Sequence, residues 1–92
     1  MTAACYSLPA VLDLGQAPAL RSELLARRGS ALTLDASAVD RLGGLCLQVL
    51  LAARRTWEGD GHALAIASAS EAFLNQWNAF GADPSAVQGD AA

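Results

Sequence analysis

Two apolar runs constrain this chain more than anything else in it: ALTLD at residues 31–35 and ALAIA at 63–67. Each is too short for a buried helix and rich enough in aliphatic residues for a buried strand, and each is followed by a stretch with helical spacing. The chain therefore reads as strand, helix, strand, helix, strand, helix. Such alternation favours helices packed on a sheet whose later strands are parallel.

The helices have readable ends. Pro18 suits the first turn of a helix over residues 17–28, with Leu20, Leu24 and Leu25 apolar and Arg21, Glu23, Arg27 and Arg28 on its other faces. Arg27 and Arg28 complement the negative C-terminal end, and Gly29 fits the position just beyond it. Residues 36–44 read as a loop. A second helix follows over 45–58, apolar nearly all round in its first two turns and so deeply buried. Gly59-Asp60-Gly61 ends it. Ser68-Ala69-Ser70-Glu71 resembles a capping box with Ser68 as N-cap. Phe73, Trp77 and Phe80 then recur on one helical face as core. Pro9 makes the N-terminal run, residues 4–12, an edge strand or an interrupted one. Residues 82–92, small and acidic, read as a flexible tail beyond an ordered core of about 4–81.

Composition narrows the function. Ninety-two residues suit a single domain over 1–92, and 53% are hydrophobic, enough for a packed core. The net charge is −3 and the six basic residues are all Arg, so no broad basic face exists for nucleic acid. The longest uncharged run, residues 42–53, is too short to span a bilayer. Cys5 and Cys46 form no disulfide framework, and Cys46 reads as a small buried hydrophobe. No signal-like segment opens the chain, and a soluble cytoplasmic protein is expected. His62 has no Cys or His at ligand spacing, so no metal is expected, and with GxxxxGK[ST] absent no cofactor is expected either. No nucleophile turn of the G-x-S-x-G kind exists, and no acid–base constellation marks an enzyme. Trp57 covers a sheet edge or is left partly open for a partner.

LTLDASAV at residues 32–39, followed by LCLQVLLAARRTWEGDGHALAIASAS, resembles the strand, turn, helix and next strand of STAS domains, the small domains of anti-sigma factor antagonists and of sulfate transporter tails. The resemblance spans roughly residues 6–81. It implies an α/β fold, a single STAS-like domain with a mixed four- to five-stranded sheet and helices packed mainly on one face. In that family a D-S/T-S/G-G-L motif opens the second helix, and its Ser or Thr is phosphorylated by a partner kinase. Here Gly43 falls at the Asp and Gly44 at the phosphoacceptor. Leu45, Cys46 and Leu47 complete the motif. Acid and hydroxyl are both missing, and a shift of one residue does not restore them. Phosphate at a helix start meets free N–H groups and the positive dipole end, and it brings nearly two negative charges that switch docking off. Gly44 carries nothing to modify.

The glycine pair has three readings: a turn needing positive φ or close packing, a partner-docking corner, or an anion cradle. The resemblance implies a non-catalytic interaction module. Its partner-binding face would be drawn from Asp35, Ser37, Asp40, Arg41, Gly43, Gly44 and Leu45. Ser37 is the alternative phosphosite. The partner would be an anti-sigma or other histidine-kinase-like ATPase in a bacterial pathway governing transcription or chemotaxis. Two alternatives stand beside it: a STAS subunit on the ATPase of a lipid-transport ABC system, and a nucleotide- or small-anion-binding domain.

Overall fold

The computed structural model describes residues 4–81 and 87–89. Among these residues six strands and three helices follow in chain order: β1 (Ala4–Ser7), β2 (Val11–Leu12), α1 (Ala17–Ala26), β3 (Leu32–Asp35), β4 (Arg41–Leu42), α2 (Gly44–Gly59), β5 (Leu64–Ala69), α3 (Glu71–Ala79) and β6 (Val87–Gly89). A 3-10 turn over Leu14–Gln16 leads into α1. The main sheet is ordered β1-β3-β5-β6 and every pairing in it is parallel. β2 and β4 form a separate two-stranded parallel ribbon.

The α/β architecture and the four strands of the main sheet are as expected, but the sheet is wholly parallel among the described strands rather than mixed, because each connection within it carries a helix. The sheet grows in one direction as the chain proceeds, and right-handed crossovers then put successive helices on the same face. Burial follows this. Leu32 and Leu34 of β3 and Ile66 of β5 are buried beside the helices, whereas Thr33 and Asp35 point the other way and stay half-open. Across the strands that second face carries Cys5, Thr33 and Ala65 in one row and Ser7, Asp35 and Ala67 in the next, all small or polar. Pro9 does interrupt the N-terminal run: β1 stops at Ser7 at the sheet edge, and the chain resumes as β2 in the ribbon.

Four expectations change. The stretch 82–92 contains a strand, because Val87–Gly89 pairs with β5 as β6; the rest of that stretch lies outside the described residues. The N-cap of α3 is Ser70, not Ser68: its Oγ accepts from the Phe73 N–H at 3.0 Å and donates to the Val39 carbonyl. Ser68 is instead the irregular residue near the end of β5, with φ of 55°, where the register to β6 shifts. Phe80 leaves the aromatic stripe. Phe73 and Trp77 stack at 5.6 Å in the core, but α3 stops at Ala79 and Phe80 is 49% exposed. Trp57 resolves to full burial, 1% exposed, with its Nε1–H donating to the Ser30 carbonyl at 2.8 Å.

The end of α1 is tied down by its two arginines. Arg27 bonds Glu23 one turn back and lies over the Tyr6 ring at 4.4 Å. Arg28 forks onto the Asp60 carboxylate, Nε to Oδ2 at 2.7 Å and Nη2 to Oδ1 at 3.0 Å. That hydrogen-bonded pair holds the Asp60 carboxyl below its ordinary value. A depressed carboxylate stabilises the fold above the unfolded pKa, about 3.9, and that contribution is lost as pH falls through the folded value. Asp60→Asn is therefore expected to melt below the parent at neutral pH, with the gap closing in acid. Melting curves across that range check it; a gap that stays constant with pH would remove the pair from the account.

Candidate functional site: the corner before α2

The loop from β3 to α2 is pinned at several points. The Ser37 N–H donates to Asp35 Oδ1 at 2.9 Å, and this bond above all holds the Asp35 carboxyl below its usual range. The Ala36 carbonyl accepts from the Ser70 N–H at 3.1 Å, fastening the loop to the start of α3. The N–H groups of Asp40 and Arg41 both donate to the Ala10 carbonyl, at 2.7 and 3.1 Å, and Arg41 lies opposite Val11 in the ribbon. Val39 is fully buried between these anchors. The side chains of Ser37, Asp40 and Arg41 are exposed.

The two glycines have different reasons to be there. Gly43 is the N-cap of α2 with φ of −86° and ψ of 163°, an extended conformation open to any residue. Positive φ is thus not its reason. Its N–H donates to the Leu12 carbonyl at 2.8 Å, and a Cβ on Gly43 would sit 3.2 Å from that same oxygen. The close approach of the ribbon disfavours a side chain there. A Cβ on Gly44 would meet only the Phe80 ring edge, at 3.6 Å, an ordinary contact. Gly43→Ala should cost about 1 kcal/mol, because crowding a backbone oxygen outweighs the smaller entropic gain of replacing glycine. Gly44→Ala should be neutral or slightly stabilising. Urea titrations of both variants test the contrast, and a Gly43→Ala protein as stable as the parent would refute the packing argument.

Three exposed apolar side chains lie on the segments that meet at this corner, beside the exposed Asp13, Asp40 and Arg41. Leu45 is 47% exposed, Phe80 49% and Leu14 73%. Phe80 reaches the corner from the end of α3. Leu14 follows Asp13, whose carbonyl accepts from the Cys46 Sγ at 3.2 Å. The corner therefore combines three predicted residues, Gly43, Gly44 and Leu45, with two that sequence reasoning missed. Only a long-range contact brings Phe80 and Leu14 here. Asp35 and Ser37 lie at the C-terminal end of β3, joined to each other and to the α3 side of the loop.

The thiols divide by position. Cys46 is buried, and burial, with Asp13 adding repulsion, pushes its thiol up; Cys5 is exposed on β1. One thiol per chain should react quickly with a disulfide reagent under native conditions, and the second only after unfolding. Two fast equivalents would show that the Cys46 site opens readily. His62 is exposed beside the turn that follows α2, its N–H bonded to the Trp57 carbonyl. Among the described residues no three His, Cys, Asp or Glu side chains gather closely enough to hold a metal, and no helix is long and apolar enough to cross a membrane.

A strand, a pinned loop and a helix start bare of side chains, carried on a parallel sheet, invite comparison with known families. The family model described as "Mlab, STAS domain" matches residues 6–87. The chain belongs to the STAS domain family. No curated protein matches it. Among solved structures, the sulfate transporter family protein from Wolinella succinogenes is similar with a TM-score of 0.73 at 18% identity, over 96% of this chain and 77% of that one. At that identity the likeness concerns the fold.

Proposed function

We propose that this STAS domain is a non-catalytic docking module that binds an ATPase subunit through the corner before α2 and is never switched by phosphorylation there. One observation carries the reading. Gly44, which the family resemblance sets at the phosphoacceptor position, has no hydroxyl, and the neighbouring segments expose the apolar side chains of Leu45, Phe80 and Leu14. An apolar patch bordering bare backbone favours a protein surface over a charged ligand. With no hydroxyl on Gly43, Gly44 or Leu45, the helix start itself has one binding state.

For the partner, the family resemblance offers two kinds of ATPase. One is a histidine-kinase-like ATPase in a bacterial pathway controlling transcription or chemotaxis, met by an anti-sigma antagonist. The other is the nucleotide-hydrolysing subunit of a lipid-transport ABC system, in which the domain is a standing component. The ungated corner favours the second, since a permanent subunit needs no release signal. A cytoplasmic location goes with either partner.

The test is affinity capture of the tagged protein from its native host, with mass spectrometry of the stoichiometric partner and radiolabelled ATP added to the purified complex. An ATPase subunit recovered in a fixed ratio, with no label on residues 43–45, is the expected result. Label on Ser37 would reinstate a switch, and a partner without a nucleotide-hydrolysing domain would overturn the assignment.

A further inference from the structure

A second feature adjoins the corner. Between α1 and α2 runs an open groove of about 320 Å³. Its lining is mostly apolar, with Leu25, 42% exposed, on the α1 side and Val49 and Ala52 on the α2 side, and Gln48 and Thr56 add polar groups. Arg21, exposed, is the one charged residue of the lining among the described residues. Along α2, Leu45, Gln48 or Val49, Ala52 and Thr56 recur at spacings of three and four, so one helical stripe leads from the docking corner into the groove. From Leu45 to Thr56 that stripe is about three turns, roughly 16 Å, long.

Charge says what kind of occupant suits it. The chain carries a net −3, yet five of its six arginines lie on or just after α1 and on α2. Arg27 and Arg28 are committed to Glu23 and Asp60. Arg21 is exposed and, among the described residues, makes no ion pair. The lining thus offers a free cation beside apolar side chains in an otherwise acidic protein.

We infer that the groove between α1 and α2 receives an amphipathic helix of the partner, about three turns long, with apolar residues on Leu25, Val49 and Ala52 and a carboxylate facing Arg21. This inference rests on the docking function proposed above and extends it from the corner along the whole α2 stripe. The mode is that of a helix in a groove: apolar anchors at i, i+3 or i+4 and i+7 supply affinity, and the flanking charge fixes orientation. The volume suits two or three aliphatic side chains rather than a whole folded surface.

The probe is a pair of capped four-turn peptide helices, both with leucines at that spacing, one flanked by glutamates and the other by lysines. Each is titrated into isotope-labelled full-length protein and followed by amide chemical shifts. The glutamate peptide should shift Arg21, Leu25, Gln48, Val49 and Ala52 saturably and bind at least about tenfold more tightly than the lysine peptide. Arg21→Glu should reverse that preference, and Ala52→Glu should weaken the glutamate peptide; both positions are exposed, so the fold is kept. No shifts, equal affinities or shifts confined to the open sheet face would overturn the inference. So would concentration-dependent shifts of the same residues without peptide, which would give the groove to a second copy of this chain. If Gly44→Asp disrupts the native complex while Ala52→Glu leaves it intact, the groove fails and the corner survives. The converse outcome removes the corner alone.

Discussion

Gly44→Asp should abolish partner binding while leaving the domain as stable as before, or slightly more so. The stability half follows from space and field. A Cβ at Gly44 meets only the edge of Phe80 at 3.6 Å. A carboxylate in the first turn of α2 is favoured by the helix dipole by about 0.3–1 kcal/mol, and glycine within a helix is itself a small penalty. The binding half follows from desolvation. A carboxylate pressed into a surface of Leu45, Phe80 and Leu14 loses water and gains no partner, a cost of several kcal/mol. At 1.4 kcal/mol per factor of ten, affinity should fall about a hundredfold or more. Gly44→Ala, with the same backbone and no charge, should keep most of it. Calorimetric titration against the captured partner, alongside thermal melts, separates the halves. An aspartate variant that binds like the parent removes the corner from the interface.

Trp57→Ala should be the most damaging single truncation of the fold. The ring is 1% exposed and its Nε1–H closes onto Ser30, joining α2 to the turn after α1. Emptying such a site costs about 3–5 kcal/mol. A domain this size has about 5–14 kcal/mol in total, so the melting temperature should drop on the order of 20 °C. Trp57→Phe keeps most of the volume and loses the donor, with an expected cost of about 1 kcal/mol, plus whatever the smaller ring leaves unfilled. Melts of the two variants should rank in that order. A Trp57→Ala protein within a few degrees of the parent would show that the ring does not anchor the helix pair.

Much of this fold was readable because its signals are local. Leu32 and Leu34 alternate with Thr33 and Asp35, Pro9 stops a strand, Pro18 opens α1 and Gly59–Gly61 closes α2, each by its own chemistry. The misreadings share a cause in tertiary contact. Ser68-Ala69-Ser70-Glu71 contains two hydroxyls able to cap a helix; the choice of Ser70 depends on Val39 and Ala36, more than thirty residues away, accepting its Oγ–H and N–H. Phe80 continues the spacing of Phe73 and Trp77, but the helix ends one residue earlier, so the periodicity no longer says where the ring goes. Val87–Gly89 is a strand because β5 offers an edge, and nothing in so small and acidic a stretch announces it. At the corner the sequence pointed to Gly43, Gly44 and Leu45. Its apolar flanks, Leu14 and Phe80, come from distant segments that only the folded chain assembles.

The one-way growth of the sheet bears on how the molecule is made. Each new strand lies against the one laid down before it, β3 on β1, β5 on β3 and β6 on β5. During synthesis a finished strand–helix unit can become the template for its successor without waiting for the far terminus. In chain order every part of the corner before α2 except Phe80 precedes the last helix, whose end brings that ring.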